Sequence, residues 1–308
     1  MNVTAKLSPR LAHEIIESRF EPDRNDVPTV HRLARDHRIG AILMRMKRLT
    51  QEQFDQAISE LSSGKKPLGR RLVDKKIITR NDLIYALGVD AGFLRETSTP
   101  PQVASMLEVV RNPYSKKSKS FRSISSILDY DVDDSQSPKT IMVLGAHDQS
   151  SSNYVSINTA ISLAQLGKRV LFINSDGNSD VFSSSFRDLM SGIKIQGLDS
   201  GNDQWGLSAT NIVNLDYLAI YGADNRAESL SRHQDLGRAI ESHSDGYDIT
   251  IVFAQDYGEN SECELLFPYV KDMFVVARRH VARGPALRKL RRSIERAGGR
   301  ILGSILIG

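Results

Sequence analysis

Apolar and polar positions change rhythm along the chain. From Lys139 onward, short continuous apolar runs alternate with segments of helical spacing. "KTIMVLGA" ends in a glycine and alanine, and "SINTAISLAQLG" carries Ile157, Ile161, Leu163 and Ala164 at helical spacing up to Gly167. "KRVLFIN" follows, and further strands are predicted at "VNLDYLAIYG", "YDITIVFAQ", "DMFVVARR" and "RILGSILIG". Apolar runs without alternation mark strands buried on both faces. The pattern therefore predicts an α/β fold, a mainly parallel sheet with helices on both faces. Ligands of such sheets bind beyond the C-terminal ends of the strands.

Before Lys139 the rhythm is helical and repeats itself. "IGAILMRMKRLTQEQFDQAI" (39–58) and "LGRRLVDKKIITRNDLIYAL" (68–87) align without gaps. Gly40 matches Gly69, Leu43 matches Leu72, Lys47 matches Lys76, Thr50 matches Thr79 and Ala57 matches Ala86. Each copy reads as two short helices, with Thr50 or Thr79 as N-cap of the second. A tail over 1–30 thus precedes a small helical domain over 31–95. Residues 96–137 contain "TSTPPQ" and a Ser/Asp-rich end, and read as a linker with a docking helix. The sheet domain occupies 138–308.

Composition narrows the class. Of 308 residues, 40% are hydrophobic and 25% charged, with no apolar run of the roughly 18 residues that a membrane span requires. The first residues lack the apolar core of a signal peptide, and the single Cys263 allows no intrachain disulfide framework, so a cytoplasmic location is expected. The seven histidines show no metal-ligand spacing. The net charge is a mild +4, but much of the positive charge lies near the C-terminus in "RRHVARGPALRKLRRSIERAGGR", Arg278 to Arg300. That stretch reads as a solvated helix face with Leu287, Leu290 and Ile294 inward, or as a surface for phosphates, anionic lipid or an acidic partner.

The candidate chemistry lies in "VLGAHDQSSSNYVSIN", where the first strand meets a helix. A working phosphate loop, GxxxxGK[ST], uses glycines for close backbone approach, a lysine for the phosphates and a hydroxyl for Mg²⁺. After Gly145, this chain places Ser151 and Ser152 at the Gly and Lys positions and Asn153 at the hydroxyl position. His147 and Asp148 beside Ser150 suggest an acid/base pair, but neighbouring loop residues rarely face one another and no third orienting group is evident. The expectation is a polar loop whose Ser and Asn side chains cap a helix starting near Asn153. The N–H groups of such a helix start are able to hold a small anion.

From Glu108 to Gly308 the chain resembles the bacterial tyrosine kinases of capsule and exopolysaccharide export, which belong to the MinD/ParA-like P-loop ATPases. "RNPYSKKSKSFRSISSIL" is similar to the segment preceding their first strand, "SINTAISLAQLGKRVLFINSD" to "AANLAxxLAQxGKRVLLIDAD", and "YDITIVFAQD" to "YDyVIIDTPP". "LRKLRRSIERAGGRILGSILIG" is similar to their closing helix and strand. The resemblance implies a P-loop NTPase fold, yet the functional positions depart from it. Asn174 replaces the aspartate of the second Walker-type motif, although Asp176 is kept, and Phe253 replaces the Walker B acid. In the ExxRxxR-like helix of ring assembly only Arg122 remains, between Lys119 and Ser125, and the family's C-terminal tyrosine cluster does not follow the last strand.

The repeat resembles a second family, the N-terminal domain of type II secretion and pilus-assembly ATPases, some versions of which bind cyclic di-GMP. Arg38 supplies the leading arginine of the first copy, Pro67 replaces it in the second, Lys47 and Lys76 occupy inner glycine positions, and Leu61 and Asp90 the glutamine positions. Arg38 is thus the candidate dinucleotide-binding residue and Arg122 the candidate oligomerisation residue. Together the resemblances imply a noncatalytic component of exopolysaccharide export with no expected cofactor, neither ATP nor Mg²⁺ included, and no catalytic or metal-binding residues. Its implied partner is a membrane polysaccharide co-polymerase of the chain-length determinant type at the inner membrane, with self-association possible and nucleic acid not expected. The alternatives are an atypical tyrosine autokinase completed by a partner chain, and a cyclic di-GMP-responsive adaptor.

Overall fold

The computed structural model describes residues 29–59, 67–97, 103, 106–131, 139–146, 149–175, 205–220, 226–254, 257 and 262–308. The repeat folds as two helix pairs, α1 (Thr29–Arg45) with α2 (Gln51–Ser59), and α3 (Leu68–Asp74) with α4 (Arg80–Asp90). Equivalent residues perform equivalent tasks in the two copies. Thr50 and Gln53 cap α2 reciprocally: the Gln53 N–H donates to Thr50 Oγ1 at 3.2 Å and the Thr50 N–H to Gln53 Oε1 at 3.0 Å. Thr79 and Asp82 form the same capping box at α4. Gly40 and Gly69 admit the second helix of each pair, because a Cβ at Gly40 would lie 2.1 Å from the Phe54 ring and one at Gly69 2.3 Å from Leu83.

A one-turn helix, α5 (Glu108–Arg111), and a long one, α6 (Lys116–Asp131), follow. The remainder alternates strand and helix: β1 (Lys139–Ala146), α7 (Gln149–Gln165), β2 (Val170–Asn174), β3 (Trp205–Ala209), β4 (Leu215–Ile220), α8 (Arg226–Ser244), β5 (Ile249–Phe253), β6 (Asp272–Arg278), α9 (Gly284–Arg296) and β7 (Arg300–Ile307). The sheet runs β3-β4-β2-β5-β1-β6-β7, and every pairing is parallel except β3 with β4. This is the mainly parallel α/β sheet that the apolar runs predict. Sequence pattern does not reveal β3, whose "WGLSA" is short and carries a glycine.

Successive residues of the central strands enter opposite faces. Ile141, Val143, Phe172, Ile251 and Phe253 join α6 and α7 in one core. Met142, Leu144, Ile173 and Val252 join Leu236 and Ile240 of α8 and Leu290 and Ile294 of α9 in the other. The first core also contains Leu43, Leu72 and Tyr85 of the repeat, with Val103 and Leu107 between, so repeat and sheet share one apolar interior. Polar contacts fix the joint. Leu94 bridges antiparallel to Ile212, the Val213 N–H donates to Phe93 O, and the Arg95 N–H donates to Asn211 O. Within the sheet domain, buried Asn158 on α7 accepts from the Val109 N–H and donates to Met106 O, tying α5 to α7.

One expectation fails at the centre. The helix after β1 starts at Gln149, four residues before Asn153, so Ser151, Ser152 and Asn153 lie inside it rather than capping it. Ser and Asn favour caps because their side chains compete for backbone groups. Here all three are buried, and tertiary packing overrides that local preference.

Candidate functional site

The sheet topology gathers the sequence-predicted positions at one end. Gly145 sits at the C-terminal end of β1, Asn174 is the last residue of β2 and Phe253 the last of β5. Phe253 faces Asn174 on one side and Val143 on the other in register. The Ser175 N–H donates to Phe253 O at 3.0 Å, the Ala254 N–H to Val143 O at 3.2 Å and the Tyr257 N–H to Gly145 O at 3.0 Å. The first turns of α7 carry Ser151, Ser152 and Asn153 to the same sheet end. Asp176, His147 and Asp148 lie outside the described residues, as does the side chain of Ser150.

The side chains that meet there are uncharged and enclosed. Ser152 and Asn153 are fully buried, Ser151 and Asn174 nearly so, and Phe253 is wholly inside the core shared with α7. Asn174 Nδ2 donates a long 3.4 Å bond to Tyr217 Oη, and the Tyr217 ring stacks on Phe172 with centroids 6.0 Å apart. Neither amide atom of Asn153 has a hydrogen-bond partner. Burial raises the Tyr257 hydroxyl above its ordinary range, and Lys289 lies over the Tyr257 ring, 5.7 Å from its centroid. Sequence reasoning missed Tyr217 and Tyr257 because only strand register and chain return bring them here.

A magnesium nucleotide needs a cation against its phosphates and oxygen ligands for its metal. A serine without solvent access stands at the lysine position, and a phenylalanine packed under α7 stands at the acid position. The described residues of this end therefore do not fit that ligand. No cluster suited to a metal ion occurs among the described residues, and none of their helices is long and apolar enough to cross a membrane.

The two remaining candidates lie elsewhere. Arg122 on α6 is 3% exposed and donates from Nη1 to Pro113 O at 2.7 Å, while burial lowers its guanidinium pKa. It braces the turn from α5 to α6 inside this chain, which places it in the interior rather than on a surface open to a second copy. Arg38 on α1 donates from Nε to Asp90 Oδ1 at 2.8 Å, joining the first helix of one repeat copy to the end of the other. A cavity of 480 Å³ lined by Arg95, Arg169, Asn214, Asp216, His243 and Tyr247 opens at the start of β2 and β4, the opposite end of the sheet from Gly145, Asn174 and Phe253.

Solved structures share this fold. The chimerical protein CapA2B2 superposes with a TM-score of 0.53 at 18% identity, over 72% of this chain and 96% of that one. The kinase domain of Escherichia coli tyrosine kinase ETK gives 0.53 at 23% identity, over 66% and 79%. The chain has the fold of the bacterial tyrosine kinase domains. The BceF tyrosine kinase domain agrees, with 0.51 at 17% identity over 75% of this chain and 89% of that one. No protein-family model matches this sequence, and no curated protein matches it.

Proposed function

We propose that the chain is a noncatalytic, bacterial tyrosine kinase-like component of exopolysaccharide biosynthesis and export. It docks on a membrane polysaccharide co-polymerase, is cytoplasmic, and sits peripherally at the inner membrane through that partner. The repeat over 31–95 supplies a further docking surface. The observation that carries the reading is Phe253, fully buried and in register between Asn174 and Val143, where an active site requires carboxylates. A phosphate-contacting lysine and a metal-organising carboxylate each contribute orders of magnitude in rate, so a site without them retains contacts rather than turnover.

The test measures ATP hydrolysis and tyrosine autophosphorylation by the purified full chain, alone and with the co-polymerase's cytoplasmic segment. No turnover is expected in either case, and the segment should co-purify with the chain. Turnover that Ser152→Ala or Asn174→Ala abolishes sinks the reading. If turnover arises only with the segment present, the chain is instead a kinase completed by its partner.

A further inference from the structure

Among the described residues, β7 stands at one edge of the sheet with no strand on its outer side. Among these residues it pairs only with β6, and from Ile301 to Ile307 it carries no proline and no charged side chain that would blunt an edge. The Arg279 N–H donates to Ile307 O, so the backbone groups of Ile307 face β6. By alternation, those of Ser304 and Leu306 face outward. Their side chains lie on the sheet face covered by α9, because Ser304 pairs with Val275, which belongs to the core that also holds Leu290 and Ile294. Leu306 is 43% exposed and Val281, in the turn before α9, is 41% exposed.

Basic side chains border this apolar edge. Arg279 follows β6 directly and is bonded through its backbone to the end of β7. Arg283 is the N-cap residue of α9, and Arg288 follows one turn later. On α9, Lys289 and Ser293 face Tyr257 and Glu264, so Arg288 lies on the other flank of the helix, its guanidinium reaching back toward Gly284. All three arginines are exposed and none makes an ion pair among the described residues. Like charges gathered without counter-charges repel one another, and an acidic partner relieves that repulsion.

We propose that the free edge of β7 takes an extended acidic peptide segment of another protein as an eighth strand. Ser304 and Leu306 exchange backbone hydrogen bonds with it, alternate apolar side chains cover Leu306 and Val281, and its carboxylates meet Arg279, Arg283 and Arg288. A second copy of this chain does not suit the edge, because pairing β7 with β7 would bring two sets of these arginines together. The inference is independent of the proposed function, since it concerns another flank of the sheet and holds whether or not nucleotide is turned over.

The probe is a fluorescein-labelled peptide of alternating valine and glutamate, matched in length to β7, titrated with the full chain and followed by anisotropy. Binding is expected, weakening as salt rises, with no binding of the valine–lysine counterpart. Replacing Arg279, Arg283 and Arg288 together with Gln should weaken it about tenfold or more. Ser304→Pro removes an outward donor on an edge that tolerates proline and should abolish binding with the melting curve retained. Leu306→Glu, at an exposed position, should weaken binding without touching the backbone, and carries the test if the proline variant unfolds. Equal binding of the basic peptide, or indifference to all three variants, overturns the proposal. So does self-association that Ser304→Pro abolishes, or preferential binding to phosphatidylglycerol vesicles that the arginine replacements abolish.

Discussion

Among the described residues, five helix ends close through a left-handed residue, three with glycine and two with lysine. Gly92, Gly167 and Gly298 have φ of 73°, 90° and 75°, and Lys47 and Lys76 have 56° and 58°. The bonding is shared: the Lys47 N–H donates to Met44 O and the Arg48 N–H to Leu43 O, as the Gly167 N–H donates to Ala164 O and the Lys168 N–H to Leu163 O. A left-handed residue with a Cβ costs about 1–2 kcal/mol. Glycine returns roughly 0.5–1 kcal/mol of that through its greater freedom in the unfolded chain. Lys47→Gly and Lys76→Gly should therefore each stabilise the fold by about 0.5–1 kcal/mol, the net of these two terms. The assay is urea unfolding followed by circular dichroism, read as a higher midpoint at unchanged slope. Gly92→Lys is the reverse control, because a Cβ there has nothing within 4 Å and only the backbone strain is added. It should lower the midpoint. If the lysine replacements are neutral or destabilising and Gly92→Lys is harmless, the strain argument is wrong.

Gly40→Ala drives a methyl group against the Phe54 ring and should cost about 1–3 kcal/mol, with Gly69→Ala showing the same loss through Leu83 in thermal unfolding. Asn153→Leu replaces two buried, unbonded polar atoms by a side chain of similar shape and should raise stability by about 1–3 kcal/mol, read as a higher urea midpoint; a loss of stability would show that the amide is bonded. The Arg169 side chain and backbone N–H hold the Asp248 carboxyl below the usual carboxylate range. Its contribution is therefore present above about pH 4 and lost as pH falls through the folded value, so Asp248→Asn should lower stability at neutral pH and flatten the acid limb of a stability–pH profile.

Much of the fold was legible because it rests on local rules. Thr50 and Thr79 announce helix starts through their hydroxyls, and the Gly40/Gly69 match announces two equivalent close packings. The apolar runs of β1, β2, β5 and β6 announce burial on both faces. The candidate site was legible only as positions. "SSSN" reads as a cap by propensity, and nothing local states that the helix begins before it or that Asn153 ends with no hydrogen-bond partner. Arg122 stands out in the sequence only through its place in the ExxRxxR-like helix, and nothing local states that the turn from α5 to α6 encloses it.

Residue identity and spacing were enough for the succession of strands and helices, for the internal repeat, and for singling out Ser152, Asn174 and Phe253 as positions that the resemblance aligns with a lysine and two carboxylates. Each is set within a few turns of chain. It took the tertiary structure to show that Phe253 stands between Asn174 and Val143, that Leu94 joins the repeat to Ile212, and that β7 is the edge strand among the described residues. Those depend on register and on contacts between residues far apart in the chain, which burial of a shared core selects and no local pattern encodes.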